Sequence, residues 1–128
     1  MVHILEQLKE VVDEAGILTG DAVSDRIGVW GTNKSMQALA LIRPQNTDQV
    51  SSILKLCNDN RQAIVPQGGM TGLVKAGMSN SSEIAVSLER MNSILEIDFD
   101  TVTITVEAGV TLQDAQEYLD EYKKALCE

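Results

Sequence analysis

The stretch Val65-Pro66-Gln67-Gly68-Gly69-Met70-Thr71-Gly72-Leu73-Val74 sets three glycines and a threonine in five positions, directly after a short apolar run. Glycine gives up more conformational entropy on folding than any other residue, so such a cluster needs a reason. One reason is chemical: main-chain N–H groups without neighbouring side chains can converge on the oxygens of an anion. Two familiar phosphate loops do not fit. The Walker arrangement has Lys and then Ser or Thr after its last glycine, whereas Leu73 follows Gly72. The Rossmann fingerprint opens a helix, and the segment from Leu73 to Glu83, interrupted by Gly77 and a Ser/Asn cluster, does not read as one. With no helix start after it, the loop is expected to work through its own neutral amide donors. Those would hold a diphosphate against the field of an acidic protein. On these residues alone, a tight turn shaped by Gly68, Gly69 and Gly72 explains the pattern as well as a ligand loop does.

Other chemistries are poorly supplied. His3 is the only histidine and sits near the N-terminus. A Ser-His-Asp or Cys-His centre, or a histidine metal site, is therefore not expected. Cys57 and Cys127 are far apart and lack metal-ligand spacing; Cys57 falls on the apolar side of a predicted helix and reads as a small core residue. The formal net charge of −9 leaves no basic stripe for nucleic acid or an anionic membrane. The four aromatics, Trp30, Phe99, Tyr118 and Tyr122, make no base-stacking platform. No apolar run approaches the ~20 residues of a membrane span, and charged residues among the first ten do not suit a secretory leader. A cytoplasmic location is expected.

The elements that must carry the loop follow from periodicity. Ile4, Leu5, Leu8, Val11, Val12 and Ala15 predict a helix over 3–15, with Gly16 as its C-terminal cap. From Gly16 to Ser35 a long surface connection is expected. The run 38–44 predicts a strand covered on both faces and ended by Pro44. Asn46 or Thr47 then caps a helix to about Asn60, with Val50, Ile53, Leu54 and Cys57 as its stripe. Residues 63–65 form a second buried strand ended by Pro66, parallel to the first through a right-handed crossover, and the glycine loop leaves it. A third strand is expected at 83–88. Residues 94–97 and 101–106 flank Asp98-Phe99-Asp100 as a hairpin, with Val102, Ile104 and Val106 on its buried face. Thr111 caps a last helix bearing Leu112, Ala115, Leu119, Tyr122 and Leu126 on one side. The expected fold is α+β: a small parallel βαβ sheet plus an antiparallel hairpin with flanking helices, in one domain.

Taken in order, the loop, residues 43–65 before it and residues 85–119 after it closely resemble the FAD-binding domain of the vanillyl-alcohol oxidase and p-cresol methylhydroxylase superfamily. Within it the chain is most similar to the D-lactate, D-2-hydroxyglutarate and glycolate dehydrogenases, from about Leu18 to Tyr122. The resemblance implies that the loop wraps the FAD pyrophosphate. Pro66 would end the strand, and Gln67, Gly68, Gly69, Met70 and Thr71 would present main-chain N–H groups. The Thr71 hydroxyl would add a bond, and Gly72 would permit close approach. Gly109 matches a family glycine beside the cofactor, although a plain strand-to-helix turn explains it nearly as well. Covalent flavin in this superfamily often uses a histidine where Met70 stands, so FAD is expected to be non-covalent. Lys75 and Ala76 occupy positions where relatives often carry small residues; Lys75 reads as a solvated charge more readily than as a phosphate partner.

The resemblance also implies parts that residues 1–128 do not contain: a second glycine-rich segment completing the flavin site, and a cap domain with the substrate arginine, metal-ligand histidines and a histidine base. The expectation is therefore the first lobe of an FAD-binding domain, truncated and inactive alone, from an enzyme that oxidises a D-2-hydroxy acid to the 2-oxo acid. The 2-hydroxy acid would be a partner only of the complete enzyme. The competing expectation is a stand-alone, non-catalytic module that binds another nucleotide diphosphate or self-associates through exposed apolar faces as a homo-oligomer.

Overall fold

The computed structural model describes residues 2–26 and 34–127. Three short strands, Ala40–Ile42 (β2), Ile64–Gln67 (β3) and Ile84–Ser87 (β4), run parallel, with β4 between the other two. The runs that form β2 and β4 have no polar alternation, and every residue of both strands is buried. Such strands need cover on two faces, and they have it. Ala40, Ile42, Ile84 and Val86 meet Ile4 and Leu8 of the helix Val2–Val11 (α1), together with Ile53 and Cys57 of the helix Thr47–Asp59 (α3). Leu41 and Ala85, offset by one residue, face Val23 and Met36 on the other side. Fully buried side chains such as Leu8, Ile53 and Ile84 each contribute about 2 kcal/mol of transfer free energy.

The two strands joined by α3 are parallel but are not neighbours, because β4 fills the gap. The placement has a physical reason. The wholly apolar β4 seals the centre of the sheet, while β3 carries Pro66, which cannot donate to a ladder and is tolerated at an edge. The strand also runs one residue past that proline instead of ending at it, and Gln67 pairs with Ser87. At the opposite edge the sheet gains a strand that the sequence pattern hid. Ile17–Leu18 (β1) pairs antiparallel with β2, and the one-turn helix Asp21–Ser24 (α2) follows. The expected surface connection from Gly16 to Ser35 is thus partly structured; its residues 27–33, including Trp30, lie outside the described residues.

Three further expectations need correction. The first helix stops at Val11, and Gly16 ends a separate 3-10 turn, Glu14–Gly16, instead of capping the helix. A Cβ on Gly16 would stand 2.8 Å from the Val12 Cβ, so the glycine there permits close packing. On α3 the apolar stripe is Ile53, Leu56 and Cys57, whereas Leu54 is 45% exposed. Position 53 lies between 56 and 57 around the helix, and position 54 is turned about 100° from 53. Asn46 does cap this helix, accepting from the Gln49 N–H at 2.9 Å.

Ile94–Asp98 (β5) and Thr103–Val106 (β6) form the antiparallel hairpin. Its turn is built on the Asp98 carboxylate, which accepts from the Asp100 and Thr101 amides at 2.9 and 3.2 Å. That geometry puts Val102 at φ +57° and leaves it 87% exposed, so Val102 belongs to the turn and not to the buried face. The last helix, Leu112–Cys127 (α4), starts where expected, with Thr111 Oγ1 accepting from the Asp114 N–H at 3.1 Å. Its apolar side is half-covered at best. Ala115 and Leu119 are half-buried, while Leu112 and Leu126 are exposed. No helix among the described residues is long and apolar enough to cross a membrane.

Candidate functional site

At the carboxyl ends of its parallel strands the sheet releases Arg43, Gly68 and Leu88 toward one rim, the place where open α/β sheets leave a crevice for ligands. Residues 68–83 form no helix. Pro66, Gly68, Gly69, Met70, Thr71 and Gly72 instead surround a hollow of about 280 Å³, together with Lys75, Ala76 and Gly77. Seven of the eight sequence-derived positions thus lie in or at the root of one feature; Gly109 does not line it.

The structure separates the two explanations of the glycines. None of Gly68, Gly69 and Gly72 has a positive φ. A Cβ on Gly68 or Gly72 would meet nothing within 4 Å, and one on Gly69 would meet only Thr111 Cγ2 at 3.8 Å. Neither backbone conformation nor packing within the described chain requires glycine at these three places. What a side chain would do is fill the hollow. Among the described residues, nothing accepts a hydrogen bond from the amides of Gly68, Gly69, Met70, Thr71 or Gly72. Open donors around a space that side chains would close are the arrangement an anion needs.

Gln67 and Met70 have duties of their own. The parallel register commits the Gln67 main chain to β4, and its carbonyl accepts from the Leu88 N–H at 3.1 Å. The side chain, 2% exposed, donates to the Gly77 carbonyl at 2.9 Å. Met70 adopts φ +61° and packs against the cluster of Val23, Met36, Leu41 and Ala85 while also lining the hollow. Gly109 packs against the turn after β4. Its N–H donates to the Met91 carbonyl at 2.8 Å, and a Cβ there would overlap the Leu88 carbonyl. Leu88 is the same residue that fixes Gln67, so Gly109 buttresses the root of the loop.

A second source of positive potential was not legible locally. No helix follows the loop, yet the contact between Gly69 and Thr111 brings it beside the N-terminus of α4, forty residues further on. That 16-residue helix carries a partial positive charge at this end, with Asp114 in its first turn. The same rim carries an ion cluster. Glu89 takes Arg26 at 2.7 Å and Arg43 at 3.4 Å, and Arg90 grips Asp13 at 2.8 Å. Partial burial pushes the Glu89 carboxyl up, but Arg26 and then Arg43 outweigh it and hold the group below the usual carboxylate range. The cluster ties the exits of β2 and β4 to each other and to the first turns of the chain. Its members were missed in the sequence because they are scattered from Asp13 to Arg90. Burial pushes the Cys57 thiol up, which suits an inert core residue.

Residues 38–127 match the protein family described as FAD binding domain. The chain is 39% identical over 93 residues to a D-2-hydroxyglutarate–pyruvate transhydrogenase of Saccharomyces cerevisiae, covering 73% of this chain and 19% of that protein. It is 29% identical over 117 residues to a D-lactate dehydrogenase of Anaerostipes hadrus, covering 88% and 24% respectively. In fold it is similar to p-cresol methylhydroxylase, with a TM-score of 0.75 at 20% identity over 95% of this chain and 25% of that one. The chain thus spans about a seventh to a quarter of the length of the relatives it matches.

Proposed function

The chain belongs to the FAD-binding domain family, and from that premise we propose that it is the first lobe of such a domain, with residues 66–72 as its pyrophosphate cradle, in a flavoprotein that oxidises a D-2-hydroxy acid to the 2-oxo acid. One observation carries the cradle: five consecutive amides, from Gly68 to Gly72, have no acceptor among the described residues and border a hollow that three needless-looking glycines keep open. The residues fit the group. Pro66 and Gln67 anchor one side to the sheet. Gly68 to Gly72 supply donors, the exposed Thr71 hydroxyl adds another, and the α4 N-terminus lies next to Gly69. When bound, FAD supplies the acceptor for the hydride leaving C2 of the hydroxy acid. The work of this chain is to bind and orient. Met70 offers no nucleophile for attachment, so the cofactor is held non-covalently.

The substrate class rests on the relatives named D-lactate and D-2-hydroxyglutarate dehydrogenases. Residues 1–128 hold one histidine, His3, which is exposed on α1, so this lobe is not expected to bring a histidine base to the substrate. The chain with FAD alone is expected to leave D-lactate and D-2-hydroxyglutarate unoxidised; reduction of a dye acceptor above the free-FAD rate would contradict that. Binding is tested by quenching of flavin fluorescence on titration, which Gly69→Val is expected to abolish.

A second reading is favoured by the exposed apolar side chains of α4 and the hairpin, among them Leu95, Phe99, Leu112 and Leu126. In it, the lobe buries that surface against another polypeptide, including a second copy of itself. Light scattering across a concentration series separates the two, since a mass that doubles without any response to FAD supports only the second.

A further inference from the structure

Residues 68–74 make no backbone hydrogen bond as donors among the described residues, so their shape must be imposed from outside the loop. Met70 within it at φ +61°, and Lys75 just after it at φ +60°, lie in the left-handed region, which costs non-glycine residues about 1 kcal/mol or more each. A loop so strained and so poor in internal bonds would relax unless something held it.

The structure shows what holds it. The Gln67 side chain is 2% exposed, and its Nε2 donates to the Gly77 carbonyl at 2.9 Å, with Met36 Sδ 3.9 Å away. This bond joins the end of β3 to Gly77, the last residue around the hollow, across ten positions of chain. A Cβ on Gly77 would stand 2.9 Å from Met70 Sδ, so a side chain there would have to displace the methionine. Met70 therefore lies directly on Gly77, and its strained backbone is pinned from below. Gln67, Met70 and Gly77 form one lock under the loop, while its amides face away from any internal acceptor.

We infer that Gln67 is the positioning residue of the diphosphate cradle: its buried amide ties β3 to Gly77 and holds the open N–H groups in the geometry an anion requires. The inference rests on the proposed reading of residues 66–72 as that cradle. It assigns Gln67 a role through its side chain, beyond the main-chain donor expected from the sequence. Preorganised donors bind without ordering cost at the moment of binding, and loss of the lock transfers that cost to the ligand.

The test compares the wild type, Gln67→Leu, Gln67→Glu and Gly69→Val, titrating each with FAD and with ADP at pH 8 and pH 5.5. Gln67→Leu is expected to weaken both ligands roughly tenfold or more, the size of one buried hydrogen bond left unmade. Gln67→Glu carries the diagnostic signature. At pH 8 its carboxylate has no proton to give Gly77 and binding is weak. At pH 5.5 the buried acid, its pKa raised by desolvation, donates again and binding recovers relative to the wild type at that pH. Lys75 is the charged residue lining the hollow, and it is common to all four proteins. Wild-type affinity in Gln67→Leu, or a Gln67→Glu protein with no pH-dependent recovery, overturns the lock. If Gly69→Val also binds normally, the cradle itself is refuted; if Gly69→Val alone fails, only the role of Gln67 falls.

Discussion

A methyl group on Gly69 would meet one carbon, Thr111 Cγ2, at 3.8 Å, whereas on Gly109 it would lie 2.6 Å from the Leu88 carbonyl carbon and 2.7 Å from the Met91 oxygen. Composition gives both positions the same letter, and the structure gives them opposite sensitivities. Gly69→Val is expected to unfold in urea at nearly the wild-type midpoint while losing FAD. Gly109→Ala is expected to lose about 3 kcal/mol of stability, because backbone must move to admit the new atom. A Gly109→Ala protein with an unchanged midpoint would contradict that packing. Glu89 offers a pH-resolved check on the rim. Its folded pKa is held below the ordinary 4.5, so its stabilising effect is present above that value and fades as pH falls through the lower, folded one. Glu89→Gln should therefore cost about 1 kcal/mol near pH 7, and the gap to the wild type should close as pH drops below about 4.5. A gap that persists at pH 3 would point to shape, not charge, as the cause.

At the scale of elements, patterns that depend on one short segment were readable and patterns that depend on distant partners were not. The apolar runs of β2 and β4, the Asn46 and Thr111 caps and the hairpin around Asp98 are local, and all appear in the structure. The two-residue β1 is too short to carry a period, and its pairing with β2 is decided by tertiary contact. Strand order was equally hidden, since Pro66 excludes β3 from the centre only once β4 exists to occupy it. The site divided the same way. The glycine loop announces itself in seven letters, but the Gln67–Gly77 bond and the approach of α4 bring together residues ten and more than forty positions apart. The misplaced Val102 shows how a turn overrides alternation: the Asp98 carboxylate gathers two amides and forces the valine to φ +57°. A β-branched residue is poorly suited to that region. Val102→Asn, which tolerates it, is expected to raise stability by about 0.5–1 kcal/mol, read as a higher melting temperature. A lower melting temperature would mean that the exposed valine makes contacts that matter.

For the whole molecule, the formal charge of −9 and the doubly anionic ligand proposed for the loop pull in opposite directions. On the proposed reading, the loop meets such a ligand with donors gathered at one rim. Unshared amides of residues 68–72, the α4 N-terminus and Lys75 stand there, and the nearby Glu89 and Asp13 are each paired with arginine. Recognition should consequently follow the phosphates more than the ring system of the ligand. Competition against bound FAD, read by the return of flavin fluorescence, measures this directly. ADP is expected to displace FAD, AMP to do so far less well, and riboflavin not at all. Displacement by riboflavin with indifference to ADP would contradict the assignment of the loop to the diphosphate.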